Sequence, residues 1–151
     1  MTTGIDSIDR TLQKTNEWIS TLAESLPAVD RKEAYVALRA VLHALRDRLP
    51  TAVVAGLGAQ LPLLLRGLYY EGWHPTPDGK PLSHAHGPEE FYGLVARELV
   101  GAPRLTGESA VEGVYLTLER HVDPGELDKV RHALPRKIQP VLTRDAYPRD
   151  A

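Results

Sequence analysis

The dipeptide Leu61-Pro62 recurs 73 residues later as Leu134-Pro135, and the same offset aligns residues 18–69 with 91–142 without a gap. A fixed internal offset constrains a chain strongly, because both copies must spend the same positions on the same packing. Trp18 falls on Phe91, Leu22 on Val95, Leu26 on Leu99, Leu38 on Val111, Val41 on Val114, Leu45 on Leu118, Leu49 on Val122, Val54 on Leu127 and Leu57 on Val130. Within each copy these apolar positions recur at helical spacing. The expectation is an all-α, compact bundle of about eight helices formed by two tandem repeats of a three-to-four-helix unit. A copy of about 60 residues buries too little surface to stand alone, so the two should share a core or pack face to face.

Prolines and capping residues divide the chain. Ile8, Leu12, Thr15, Ile19, Leu22 and Leu26 mark a first helix, with Trp18 widening its stripe. Pro27 ends it. Asp30 with Glu33 resembles a capping box opening a second helix to about Leu49, with Leu38, Val41, Leu42, Leu45 and Leu49 on one face. Thr51 is the expected N-cap of a third helix. That helix closes near Gln60, and another opens at Pro62, because proline lacks the N–H and clashes with the preceding turn.

Residues 72–87 read as a loop rich in proline and histidine, with Pro77-Asp78-Gly79 as a turn signal. Pro88 suits a first helical position, with Glu89 and Glu90 at the positive end of the helix dipole and Phe91, Leu94, Val95 and Leu99 as the apolar face. Ser109 with Glu112 is read as the next capping box, and Asp123-Pro124 starts a further helix carrying Leu127, Val130 and Leu134. The domain expectation is one globular unit over 1–151. Repeat one covers about 5–71, the loop about 72–87, repeat two about 88–142, and 143–151 is a frayed tail.

Two passages carry a resemblance to a known family. Residues 39–50, Arg39-Ala40-Val41-Leu42-His43-Ala44-Leu45-Arg46-Asp47-Arg48-Leu49-Pro50, are one. The other runs from Leu57-Gly58-Ala59-Gln60-Leu61-Pro62 through Tyr69-Tyr70-Glu71-Gly72-Trp73. Together they resemble the bacterial domain of unknown function family 2267, over about Trp18 to Leu142. The resemblance implies a small all-helical bacterial protein with no established activity and no catalytic residues to carry over.

Composition closes several routes to function. The 151 residues contain no cysteine, which excludes disulfides, thiolate zinc sites and cysteine nucleophiles and makes the cytoplasm the expected compartment. The opening residues hold neither a basic nor an apolar region of the secretory kind, and the apolar run from Ala52 to Leu65 is too short to span a membrane. A net charge of −2 gives no general attraction to nucleic acid, which is not an expected partner. Six cations, Lys129, Arg131, Arg136, Lys137, Arg144 and Arg149, face only Asp145 and Asp150 at the C-terminal end, without the aromatic interleaving of a nucleic-acid interface, and read as a solvated face.

No catalytic set emerges. Ser109 in Gly107-Glu108-Ser109-Ala110 lacks the preceding strand and following glycine of a nucleophile elbow. Gly56-Leu57-Gly58 lies inside a helical pattern and reads as small residues permitting close helix approach, not as a phosphate loop. Adjacent Glu89 and Glu90 diverge on a helix and form no acid–base pair. His74, His84 and His86 are the weak candidate metal ligands, with Asp78 or Glu89 as an oxygen donor, and provide an alternative reading as a small-ligand or metal-binding loop. No cofactor is expected.

The offset also exposes a surplus. Leu61, Leu65, Leu68 and Tyr69 match Leu134, Ile138, Val141 and Leu142 and read as core, whereas Leu63, Leu64 and Tyr70 match Arg136, Lys137 and Thr143. The first copy is therefore apolar where the second is polar, which is the signature of an interaction surface. Leu63, Leu64, Arg66, Tyr70 and Trp73 are the candidate surface, and a non-catalytic binding or scaffold module with a protein partner or self-association is the expected function.

Overall fold

Capping side chains set the start of three α-helices, and proline stands at the N-cap or first position of three others. The computed structural model describes residues 2–26 and 28–147. They form α1 Asp6–Ser25, α2 Arg31–Asp47, α3 Thr51–Gln60, α4 Leu63–Tyr70, α5 Pro88–Arg97, α6 Gly107–His121 and α7 Pro124–Ala133. Two 3-10 helices follow, Arg136–Leu142 and Arg144–Ala146, and no strand occurs among the described residues. None of the described helices is long and apolar enough to cross a membrane.

The Asp30 carboxylate accepts from the Glu33 N–H at 2.8 Å, and the Glu33 carboxylate accepts from the Asp30 N–H at 3.4 Å, the expected box. Such a cap contributes about 1 kcal/mol. Asp123 caps α7 by accepting from the Glu126 N–H, with Pro124 at the first helical position. Two expected caps move. Thr106, not Ser109, caps α6: its hydroxyl accepts from the Ser109 N–H at 3.0 Å while the Ser109 hydroxyl accepts from the Thr106 N–H at 2.9 Å. Serine thus fills the place in the box that glutamate usually holds. Thr51 is already helical, and its N–H donates to the Gly79 carbonyl at 3.0 Å.

α2 is the central element, burying Ala34, Ala37, Leu38, Ala40, Val41, Leu42, Ala44 and Leu45 against α1, α4, α5 and α6. Each fully buried leucine stabilises the fold by about 1.5–3 kcal/mol of transfer free energy. Gly113 lets α6 close on α1, since a Cβ there would lie 2.7 Å from a methyl of Leu22.

The helix bounds repeat the sequence offset. α7 begins and ends 73 residues after α3, and the first 3-10 helix begins 73 residues after α4. The packing pairs exchange in the same way: α1 on α2 has a mate in α5 on α6, α1 on α6 in α5 on α2, and α4 on α2 in the 3-10 helix on α6. α2 meets α6, and α3 meets α7, each packing on its own mate across the exchange. The halves are therefore interleaved, with α1 and α5 each bridging to the other half.

The loop at 72–87 straps across the corner between α2 and α3. Gly79, at φ +72°, closes the Pro77-Asp78-Gly79 turn by donating to the Thr76 carbonyl at 3.1 Å, and Ser83 N–H donates to the Asp47 carbonyl at 3.0 Å. Two expectations require correction. The tail is not frayed from 143: Tyr147 is buried and its hydroxyl donates to the Val141 carbonyl at 2.9 Å, while 148–151 lie outside the described residues. The stripe of the first helix is not buried throughout, because Ile8 and Leu12 are exposed and burial begins only at Thr15.

Candidate functional site

α4 starts after Pro62, whose φ of −54° and ψ of 148° set the turn out of α3. Its core face holds Leu65 and Tyr69, and the Tyr69 hydroxyl donates to the Val54 carbonyl at 2.9 Å. Burial pushes the Tyr69 phenol far above its usual range, so it remains a donor at every physiological pH. On the outer face Leu63 is 59% exposed and Leu64 49%.

The five residues of the expected surface do not stay together. Arg66 turns toward α3, its Nε donating to the Gly58 carbonyl at 2.9 Å and a terminal nitrogen to the Leu61 carbonyl at 3.2 Å. The Tyr70 ring closes on Gly58, where a Cβ would lie 2.4 Å from the phenol oxygen. Trp73 packs on Tyr70 with ring centroids 5.5 Å apart. Arg66, Tyr70 and Trp73 thus hold the α3–α4 corner, and only Leu63 and Leu64 face solvent.

α1 supplies the apolar neighbours instead. The Leu64 N–H donates to the Thr11 hydroxyl at 2.9 Å, which lays the first turns of α1 beside the start of α4. Ile5, Ile8 and Leu12 on those turns, and Tyr35 on α2, are also exposed. Thr15, Ile19, Tyr35, Leu64 and Leu68 line a groove of about 340 Å³ between α1, α2 and α4. Thr15 lines it, its hydroxyl buried and without a hydrogen-bond partner among the described residues. Sequence reasoning placed Ile8, Leu12 and Thr15 in the core; the signal that separates them is the offset, which puts Pro81 and Ala85 of the loop opposite Ile8 and Leu12.

The end of α2 forms a second, polar groove of about 350 Å³ lined by Arg39, His43, Arg46, Arg48, Glu71, Leu94 and Glu98 among others. The two passages that carry the family resemblance meet here. Arg46 is 5% exposed; one nitrogen donates to the carbonyls of Tyr69 at 2.7 Å and Glu71 at 2.9 Å, and its Nε pairs with Asp47 at 2.8 Å. Arg39 pairs with Glu71 at 2.8 Å, which holds that carboxyl below its usual range. His43 contacts the Leu68 carbonyl at 2.7 Å, so its Nε2 carries the proton, and burial lowers its pKa. Arginines at helical spacing from Leu42, Leu45 and Leu49 were the available signal for this cluster.

In the second half the matching positions are joined by an ion pair, whereas Arg46 meets Glu71 only through its backbone carbonyl. Glu119, opposite Arg46 in the offset, pairs with Arg144, opposite Glu71, and accepts from the Tyr115 hydroxyl at 2.6 Å. Burial and the Glu119 carboxylate push the Tyr115 phenol up to about 12. Lys129 and Arg131 are likewise paired, with Glu126 and Asp128, so three cations of the basic C-terminal stretch already have partners; Arg149 lies outside the described residues.

His74, His84 and His86 are exposed on the loop, and no group of three or more His, Cys, Asp or Glu side chains is placed to hold a metal ion among the described residues. The structure does not gather them into a ligand set.

A model of the family described as uncharacterized conserved protein, domain of unknown function 2267, matches residues 15–141. No curated protein matches the chain.

Proposed function

Starting from the premise that the chain belongs to domain of unknown function family 2267, we propose that it is a non-catalytic helical binding or scaffold module that receives a protein partner on the apolar seam between α1 and α4. The observation that carries the reading is the exposure of Leu63 and Leu64 where α4 meets the first turns of α1 at Thr11, at positions where the second half carries Arg136 and Lys137. An apolar patch that the shared packing does not require, rimmed by charge, is an interaction signal.

The same comparison supports a tandem duplication whose first copy acquired this surface. α5 begins 73 residues after Thr15, so the turns of α1 before Thr15 are an addition to the unit that the halves share. The partner chemistry that fits is an amphipathic helix laid along the seam, with an apolar side chain in the groove and the Thr15 hydroxyl as a polar group lining it. On this reading the module works in the cytoplasm and binds without catalysing a reaction.

Photo-crosslinking from position 64 in the source cell tests this, with position 137 as the control. The reading expects a discrete adduct, with another protein or a second copy, from 64 alone. Equal labelling from both positions, or none from 64, overturns it.

A further inference from the structure

We infer that the groove at the C-terminal end of α2 binds a small molecule through a carboxylate or phosphate group, with Arg48 as the cation that receives it. Arg48 is 6% exposed and lines this groove of about 350 Å³, a volume within the range of small-ligand pockets. Its guanidinium lies over the Phe91 ring, 6.0 Å from the centroid. One terminal nitrogen donates to the Ala44 carbonyl at 2.8 Å, and Nε is buried with no partner among the described residues.

The charges around it are already spent. Asp47 pairs with Arg46 and Glu71 with Arg39, Glu98 stands exposed on the rim, and Asp47 and, more weakly, Glu90 act on Arg48 only at a distance, without forming an ion pair with it. Arg48 is the guanidinium of this groove without a carboxylate among the described residues. Unlike a lysine or histidine, it does not discharge when buried. A buried cation of this kind calls for a counter-ion, and oxygen anions match the planar fork of the guanidinium.

The second half shows what the fold alone asks for at this place. Opposite Arg48 and Phe91 stand His121 and Trp18, stacked with ring centroids 5.1 Å apart. His121 Nε2 is satisfied by the Thr21 hydroxyl at 2.9 Å, and burial favours its neutral form. The packing position therefore accepts a neutral base on an aromatic ring. At 48 it holds a permanent cation whose buried Nε has no partner among the described residues, so the charge serves something beyond packing.

The test is an NMR titration of isotope-labelled arginine side chains with inorganic phosphate or malonate, chloride holding the ionic strength constant. The Arg48 Nε–H resonance should move and saturate with at least one probe, and the thermal midpoint should rise with the same probe. Phosphate alone acting identifies a phosphate ligand; malonate alone identifies a carboxylate. Arg48→Met and the charge-conserving Arg48→Lys should each weaken binding by at least about tenfold, the second because it loses the fork. A resonance unmoved by both probes overturns the assignment, as does undiminished binding in whichever variant folds.

Discussion

Arg46 shows how a single side chain ties distant segments together. It is nearly as buried as the leucines around it, yet all its value lies in the carbonyls of Tyr69 and Glu71 and the Asp47 carboxylate. Arg46→Met should cost about 2–4 kcal/mol in urea unfolding, because it leaves buried acceptors without donors. Hydrogen exchange at residues 69–73 should quicken in the same variant. The position of this arginine was legible from helical spacing; its two carbonyl acceptors were not, because they lie more than twenty residues away and are backbone groups, which sequence identity does not mark.

Two histidines make a pH prediction at the same scale. Burial lowers the pKa of both His43 and His121 from the ordinary 6.5. In the window between the lowered values and 6.5, the unfolded chain binds more protons than the folded one. Stability therefore rises with pH across that window and levels off above it. Glu71 and Glu119 act at lower pH in the same direction: Arg39 and Arg144 respectively hold them below 4.5, and their contributions are lost as pH falls through the folded values. Thermal midpoints measured across mildly acidic pH should show the slope, and His43→Gln with His121→Gln should flatten its upper part.

Among the elements, the glycines divide by what stands opposite them. At Gly107 a Cβ would meet the Tyr92 backbone carbonyl at 2.0 Å, so Gly107→Ala must push α5 from the start of α6. That change should cost at least about 2 kcal/mol, in the range of an overpacked core. At Gly56 the obstacle is the end of the flexible Glu126 side chain at 2.3 Å, and Gly56→Ala should be nearly neutral once that side chain swings away, helped by about 1 kcal/mol of helix propensity. Denaturant midpoints of the two variants compare them directly. The helices themselves were legible because prolines and caps bound them, and the closing of α3 before Pro62 follows from proline chemistry alone. The start of α6 was misplaced because serine served in the box where glutamate was expected. Periodicity read Ile8 and Leu12 as core, since a stripe reports which face is apolar and carries no information on how far a neighbour extends to cover it.

At the scale of the molecule, the interleaving of α1 with α6 and α5 with α2 makes each half the other's core. Fragments separated after Gly79 should each show little helical circular dichroism and regain it on mixing in equal amounts; a first fragment that folds alone would contradict the interleaved account. The candidate surface was only half legible in the sequence. The offset marked Leu63 and Leu64 as apolar where the shared packing does not require it, and both are exposed, while Tyr70 and Arg66 were drawn into the α3–α4 corner by Gly58, a contact that no spacing along α4 discloses.

The central claim is that the α1–α4 seam serves recognition and not folding. Its most direct test gives the first half the residues that the second carries at the matching positions, as the paired substitutions Leu63→Arg and Leu64→Lys. Exposed sites with no packing role tolerate such changes within about 0.5 kcal/mol. The account predicts an unfolding free energy within that margin, together with loss of the adduct formed from a photo-crosslinker at position 35, which lines the same groove. A variant that unfolds, or one that keeps the adduct undiminished, would contradict it.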